Sequence, residues 1–310
     1  MTAVVQEPVL SVVVTVVGGG EVLRHFLKAI TSQDDPPPME VIVPYDATIP
    51  HTRDLEREFP SVRFVDMGYV KTVRAEGTAA GEHELYDRRR EAGLKAAKGE
   101  ILSLTEDRAP PRSDWAKNVV ANHRRLPHAV IGGAVECVSP AGDMLNWGIY
   151  IADCSRYAPP FEPGPRQWIT DVNVSYKRRA IESTRDMWEH GYNEASVHWA
   201  LMEKGETLWL ADDMVVLYQS IYPGFGDALP VRFQWGRMFG EARAKAVSLP
   251  KRLAYAAIGP VIPAVLFLRH ANVMRKKGKL GRFLRAAPAT AVLLTAWMAG
   301  ELTGLITKRS

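Results

Sequence analysis

Residues 9–17 (VLSVVVTVV) form an uncharged, mostly β-branched run that stops abruptly at Gly18-Gly19-Gly20. Nine residues are too few to span a bilayer as a helix, and the run reads as a strand buried on both faces of a parallel sheet. A helix follows at once, because 21–33 sets Leu23, Phe26, Leu27 and Ile30 on one face. After Pro36-Pro37-Pro38, 40–44 (EVIVP) reads as a second strand and Tyr45-Asp46-Ala47-Thr48 as its turn. A short helix over 51–59 and a strand over 62–65 complete the start. Strand and helix in alternation specify an α/β fold with a doubly wound, mostly parallel sheet flanked by helices.

The pattern continues with a mobile, polar loop over 66–87, a helix over 86–97 and a strand over 100–105 that runs into Glu106-Asp107-Arg108. Beyond it, 114–125 is helical and 129–138 a strand. Residues 139–168 read as irregular, being rich in Pro, Gly and aromatics. A strand over 169–176, helices over 177–184 and 191–204, and a strand over 214–218 follow. Open α/β sheets bind ligands beyond the carboxyl ends of their strands, so Asp46 and the 106–108 triplet are expected on one rim.

Charge divides the chain of 310 residues. From 232 to 310 there are 15 Lys and Arg against Glu241 and Glu301 alone, while the remainder carries 24 basic and 33 acidic residues. Basic residues that flank apolar runs indicate a membrane surface as partner and argue against nucleic acid. Cys137 and Cys154 are too few for a disulfide framework and read as reduced. Glu7 and Pro8 precede the first apolar run and no basic segment leads it, so no signal peptide is expected.

An acidic triplet at a strand end suits the chemistry of a diphosphate leaving group. Carboxylates can hold a metal beside it, and Arg or Lys can neutralise it directly. The bland reading is an acidic turn that merely ends a strand. Glu194 and His198, four apart, share one face of the helix over 191–204, so a carboxylate base there is the sharp reading and a surface Glu–His pair the plain one. Asp212, Asp213 and Glu189 are rival bases.

Several segments in order resemble the family 2, GT-A-fold glycosyltransferases. SVVVTVVGGGEVLRHFLKAITSQ resembles the opening strand-loop-helix and EVIVPYDAT the second strand. RRREAGLKAAKGEILSLTEDRAPPRSDW resembles the helix, strand and DxD run. ITDVNVSYKRRAIE resembles the acceptor-side strand, and GYNEASVHWALMEKGETLWLADDMVV the helix bearing the catalytic carboxylate. The likeness spans most of 9–245 and implies an inverting glycosyltransferase. It would move a sugar from a UDP- or GDP-sugar to a membrane lipid or lipid-linked acceptor, in cell-envelope or exopolysaccharide synthesis. It implies that Asp46 meets the base, Glu106 the ribose or base, and Arg90 the nucleotide, with Asp107 central to the triplet. It implies that Asn173 lies on the acceptor side and that Glu194 deprotonates the acceptor hydroxyl. The segment 232–246 is similar to a Gly- and Arg-rich stretch near the family's active site, which brings in Arg237 and Arg243; the other reading lays both on anionic lipid.

The family's metal-binding Asp is replaced by Arg108. Either Asp107 alone recruits Mg or Mn, or Arg108 takes the metal's place through paired hydrogen bonds to phosphate. The Gly18-Gly19-Gly20 loop also departs from the family and would offer backbone N–H groups instead of side chains. A nucleotidyltransferase needs a Lys- and Arg-bearing phosphate loop after the first strand, which GGGEVLRH matches poorly; a non-catalytic membrane scaffold is the other alternative.

The domain plan is a catalytic region over 1–245, with a nucleotide-sugar half (1–128) and an acceptor half (129–245), followed by a membrane-associated tail over 246–310. Residues 253–268 carry no charge, yet as a helix reach only about 24 Å, short of a bilayer core of roughly 30 Å. Residues 286–306 contain Pro288 and Glu301. Every segment flanking the two runs is basic, so re-entrant or interfacial helices on the cytoplasmic face are expected, with a two-span hairpin as the alternative. Glu301 is expected to face protein or the interface.

Overall fold

The computed structural model describes residues 7–307. Its chain falls into two compact units. One comprises the residues up to Thr72, Glu84–Glu136 and Pro159–Tyr218; the other comprises Val73–His83, Cys137–Ala158 and the chain from Gln219 onward.

The first unit is an α/β sheet protein. Its elements begin β1 (Leu10–Thr15), α1 (Gly20–Thr31), β2 (Met39–Tyr45), β3 (Val62–Asp66), α2 (Ala79–Ala96), β4 (Ile101–Glu106), α3 (Trp115–Arg125) and β5 (Val130–Cys137). After α4 (Met144–Cys154) come β6 (Gly164–Arg166), β7 (Asn173–Lys177), α5 (Arg178–Glu182), α6 (Arg185–Trp188), α7 (Glu194–Glu203) and β8 (Leu208–Tyr218). The eight strands form one sheet in the order β3-β2-β1-β4-β7-β5-β8-β6. β3, β2, β1 and β4 run parallel, with Val12 opposite Val41 and Ser103. β7 is antiparallel to both β4 and β5.

All six residues of β1 and all six of β4 are buried, as the run of β-branched residues requires of strands covered on both faces. α1 buries the four apolar residues that the period of its sequence picks out. The doubly wound α/β architecture is thus the one the sequence specifies. Its boundaries differ in informative places. α2 begins at Ala79, inside the segment expected to be loop, and Thr78 Oγ1 accepts the Gly81 N–H at its start. Asp212 and Asp213 lie within β8 and not in a turn. The segment 139–168 contains α4, capped by Asp143 accepting from the Asn146 N–H at 3.0 Å.

The second unit is helical: α4, α8 (Phe225–Ala246), α9 (Leu249–Ile258), α10 (Ile262–Lys276) and α11 (Leu280–Ile306). α11 packs along α8 and α4. The α8–α11 contact is built on glycine: a Cβ at Gly300 would fall 2.9 Å from the Arg237 nitrogen, and one at Gly236 3.1 Å from the Glu301 nitrogen, with carbonyl oxygens closer still. Glu301 is buried against Arg243, 3.1 Å away. Cys137 and Cys154 are free thiols.

Candidate active site

Three side-chain assemblies gather where β1, β2 and β4 end. The first is the glycine loop. Gly19 and Gly20 have φ of 63° and 48°, left-handed values that glycine adopts without strain. The loop turns its N–H groups onto Asp107: Val17 and Gly18 donate to Oδ1 at 3.0 and 3.1 Å, and Gly18 and Gly19 to Oδ2 at 3.1 and 2.7 Å. Asp107 has no exposed surface. Its position before α1 also sets an anion against the positive end of the helix dipole.

The second assembly surrounds Asp46, which is almost fully buried. Its Oδ1 accepts from the N–H and hydroxyl of Thr48 at 2.9 and 2.6 Å, and its Oδ2 from Arg89 Nε at 2.8 Å. Arg89 Nη1 also donates to the Val16 carbonyl at 2.7 Å, tying β2 to the end of β1. Burial pushes the Asp46 carboxyl up, but Arg89 and Thr48 outweigh it and hold the group below its ordinary value.

The third assembly is an ion network on the end of β4. Arg90 Nη2 reaches Glu106 Oε1 at 3.0 Å and Asp171 Oδ2 at 2.8 Å, and its Nη1 reaches Asp87 at 3.3 Å. Arg108 Nε donates to Glu106 Oε2 at 2.5 Å, and its guanidinium lies 5.1 Å from the centre of the Tyr218 ring. Beyond Asp171 stands Glu194, the first residue of α7. Its side chain is 27% exposed, and its Oε1 lies 3.9 Å from His198 Nδ1. Burial, then the Asp171 charge, drive Glu194 well above the ordinary carboxylate value. Burial likewise pushes Asp87 up to about 7. Four carboxyls against two guanidiniums leave a surplus of negative charge, which retained protons relieve.

His198 closes this network from behind. It is fully buried, its Nε2 is 2.7 Å from the Tyr176 hydroxyl, and that hydroxyl is 2.6 Å from Tyr192. Burial drives its pKa down to about 3, so it is a neutral imidazole; its Nδ1 stands 3.9 Å from Glu194.

The structure therefore joins Arg90, Glu106 and Arg108 in one ion network, with Asp107 next in the chain, and sets Glu194 beside His198 where the Asp171 charge acts on it. Asp46 lies one assembly away, linked through Arg89 and the end of β1. Asn173 is spent on the framework: it is fully buried, Oδ1 accepts from Trp115 Nε1 at 3.0 Å, and Nδ2 donates to the carbonyls of Ala134 and Met214 at 3.0 and 2.8 Å. No atom of its side chain is left to meet an acceptor. Of the rival bases, Asp213 accepts from Asn122 at 2.7 Å and Glu189 sits in a surface pair with Arg185. Arg237 and Arg243 belong to the helical unit, where they pair with Glu241 and Glu301.

Asp171, Asp87 and Arg89 escape the sequence reading. Asp171 and Arg89 are parts of long-range pairs, and Asp87 joins the network through Arg90, three residues further along α2. The Arg88-Arg89-Arg90 run announces cations on α2 without saying which of them points to which carboxylate.

The residues present do not fit a divalent cation held by the triplet. Both Asp107 oxygens are filled by N–H donors, both Glu106 oxygens by guanidiniums, and the third position is itself a cation. Among the described residues no three His, Cys, Asp or Glu side chains are grouped to hold a metal.

No protein-family profile matches the chain. It is 22% identical over 239 residues to glycosyltransferase AglE of Haloferax volcanii, covering 74% of this chain and 72% of that one. Among solved structures it resembles the mannosyltransferase PcManGT of Pyrobaculum calidifontis, determined with GDP-Man and Mn2+. That likeness has a TM-score of 0.56 and 16% identity over 98% of this chain and 89% of the other. TarS of S. aureus, determined with UDP, is more remote, at a TM-score of 0.49 and 15% identity over 94% and 90%, and carries no weight here. The likeness in sequence to a glycosyltransferase and in fold to a mannosyltransferase together support a GT-A-like glycosyltransferase.

Proposed function

We propose that this protein transfers a sugar, with inversion, from a nucleoside-diphosphate sugar to a membrane-proximal acceptor such as a lipid-linked glycan or polyprenyl phosphate. The observation that carries this reading is the ion network that joins Arg108 and Glu106 to Asp171 through Arg90, with the Asp171 charge acting on Glu194. Cations suited to a donor diphosphate are thereby coupled to a carboxyl suited to an acceptor. The likeness in fold to a mannosyltransferase solved with GDP-Man supports a nucleotide-linked donor.

For a hydroxyl acceptor, ionised Glu194 takes the hydroxyl proton while the acceptor oxygen forms a bond to the anomeric carbon. The bond from that carbon to the diphosphate oxygen breaks, and its electron pair leaves with the nucleoside diphosphate. Arg108 meets the charge that grows on the diphosphate, in the place where a metal would otherwise act. The reaction is metal-independent on this reading, although PcManGT was solved with Mn2+.

The helical unit supports attachment to the cytoplasmic face of a membrane. In α9, α10 and the short turn between them, Leu253, Ile258, Val261, Val265 and Leu268 are each at least half exposed, and Lys251, Arg252, Arg269, Arg275 and Lys276 flank them. Two stretches, Leu249–Lys276 and Leu280–Ile306, are long and apolar enough to cross a membrane, and only 11% of the first is buried. We assign these helices to the interfacial plane, because basic residues on all flanks suit anionic headgroups on one side. Cell-envelope or exopolysaccharide synthesis is the setting this fits.

Calorimetry with GDP and UDP, with EDTA and with Mn2+, tests the donor site. We expect binding that survives EDTA and is lost in Arg108→Ala. Transfer assays on membranes with a panel of donors test the rest: Glu194→Gln should bind donor and fail to transfer to a hydroxyl acceptor. Indifference to every nucleotide overturns the enzyme reading in favour of a scaffold, and full transfer by Glu194→Gln removes the base.

A further inference from the structure

The amino ends of β1 and β4 and the carboxyl end of β7 meet at the end of the sheet opposite the candidate active site. An open cleft of about 440 Å³ lies there, a volume within the roughly 300–1,000 Å³ of small-molecule sites. Five cations line it, Lys98, Arg124, Lys177, Arg178 and Arg179, against one carboxylate, Glu100. None of the side chains assigned above to donor or acceptor belongs to its lining.

Two of the cations are held in place without being neutralised. Lys177 Nζ donates to the carbonyls of Leu126 and Pro127 at 3.0 and 3.4 Å. Arg178 donates through Nε to the Gly99 carbonyl at 2.9 Å and through Nη2 to the Ala97 carbonyl at 3.0 Å. These carbonyls lie just past the ends of α3 and α2, so capping those helices is the plain role of both side chains. A carbonyl cancels no full charge, however. The nearest acid to Arg178 is Glu182, at a long 3.5 Å. An ammonium has three donors and a guanidinium five, so both side chains keep N–H groups to spare. Arg179 is paired with Glu206 at 2.8 Å. Lys98 and Arg124 are exposed, and among the described residues neither has an acid within ion-pair distance.

His123 is an independent mark of a ligand. It lines the cleft and is only 4% exposed. Its Nε2 lies 2.8 Å from Ser175 Oγ, whose own hydrogen goes to the Ile131 carbonyl at 3.0 Å. Nε2 is therefore the nitrogen that carries the ring hydrogen, and Nδ1 is a bare acceptor with no hydrogen-bond partner. The two nitrogens of an imidazole point to nearly opposite sides. With Nε2 turned to the fully buried Ser175, Nδ1 faces away from it. Burial, and then the Lys177 charge, drive the ring down to about 3, so it is neutral and cannot itself serve an anion. A buried acceptor of this kind calls for a donor.

We propose that this cleft binds a phosphate ester that also carries a hydroxyl. The phosphate oxygens accept from Lys98, Arg124 and the spare hydrogens of Lys177 and Arg178, and the hydroxyl donates to His123 Nδ1. Cations alone would take any anion; the neutral acceptor among them selects one with a hydrogen to give. Such a ligand is either a soluble sugar or polyol phosphate or the polyhydroxyl headgroup of an anionic lipid.

Glycerol phosphate, titrated at mildly alkaline pH into the full-length protein in phosphatidylcholine nanodiscs, tests this. Calorimetry should show saturable binding in the millimolar range or tighter. The double variant Lys98→Glu/Arg124→Glu should weaken it at least about tenfold, with an unchanged circular dichroism melt to show that it is folded. Sulfate matches the charge but has no hydroxyl, so it should bind more weakly. Nitrogen NMR of labelled histidine should show His123 Nδ1 moving with glycerol phosphate and staying in place with sulfate. Discs that contain phosphatidylglycerol separate the two sources. A headgroup in the cleft moves Nδ1 before any ester is added and competes with it, whereas a site for soluble esters gives the same resting signal in both discs. The inference is overturned if Nδ1 moves with neither ester nor lipid, if sulfate binds as tightly as glycerol phosphate, or if the double variant binds like wild type. No sugar nucleotide is present in these measurements, so their outcome is separate from that of the proposed transfer reaction.

Discussion

Replacing Gly300 by alanine gives the most direct test of how the helical unit is held together. Its Cβ would meet the Arg237 nitrogen at 2.9 Å, with the Phe233 carbonyl oxygen nearer, whereas ordinary contact begins at 3.4 Å. Backbone atoms cannot rotate away, and the Phe233 oxygen lies 1.9 Å from the added Cβ, so α8 and α11 must separate locally by about 1 Å or more, and a gap of that size forfeits about half of the dispersion energy of each contact along the interface. Overpacking of this kind costs about 1–3 kcal/mol, and a rigid backbone obstacle belongs at the upper end. Taking about 3 kcal/mol, and roughly 2–4 °C per kcal/mol for a domain of this size, the thermal midpoint should fall by about 6–12 °C. Gly281, on the same helix with nothing within 4 Å of its Cβ position, provides the control. Gly281→Ala should leave the midpoint unchanged or raise it slightly, by up to about 1 kcal/mol. Circular dichroism melts in lipid nanodiscs read both variants. Equal midpoints for Gly300→Ala and Gly281→Ala would refute the close-packed glycine seam.

Three further outcomes are expected. Asn173→Ala leaves the Trp115 N–H and two carbonyls without partners, so urea unfolding should show a loss of about 3 kcal/mol or more, while donor affinity measured well below the midpoint stays at the wild-type level. Glu194 is raised in the folded state, so the stability its protonated form contributes is fully present below its unfolded value of 4.5 and is lost as pH rises through the folded value; melts across pH should show Glu194→Gln gaining on wild type as the solution becomes more alkaline. Leu253 and Leu268 are 62% and 68% exposed, and each leucine returned to an apolar phase is worth about 1.5–3 kcal/mol, so the double change to Asp should reduce co-sedimentation with anionic vesicles at least roughly tenfold without lowering the melting midpoint.

The parts of this protein that were legible in its sequence are those fixed by local period. β1 and β4 are continuous apolar runs, α1 carries a clean stripe, and the strand-end rule puts Glu106 and Asp107 on the ligand rim. Glu194 and His198 share a face because a helix places residues four apart together. What was not legible depends on chain segments meeting from afar. Asp171 acquires its meaning from Arg90, and Asp107 from a loop 88 to 90 residues away. α4 escaped because Trp147, Gly148, Ile149, Tyr150 and Ile151 are buried in succession, which erases the one-sided period of an amphipathic helix. The four-residue spacings Gly236/Gly240 and Gly300/Gly304 were visible, but nothing local says that the two pairs face each other.

The capture of Asp107 by the glycine turn has a kinetic consequence. A backbone nest of this kind ordinarily becomes ordered only when an outside anion arrives, and that ordering slows or weakens capture. Here the chain supplies its own anion in advance. The turn is already hydrogen-bonded before any donor approaches, and under the proposed function the incoming diphosphate meets the guanidinium of the next residue, Arg108, with its Nε already anchored on Glu106. Donor capture should accordingly be fast and sensitive to ionic strength, limited by the encounter of opposite charges and not by a folding step of the loop.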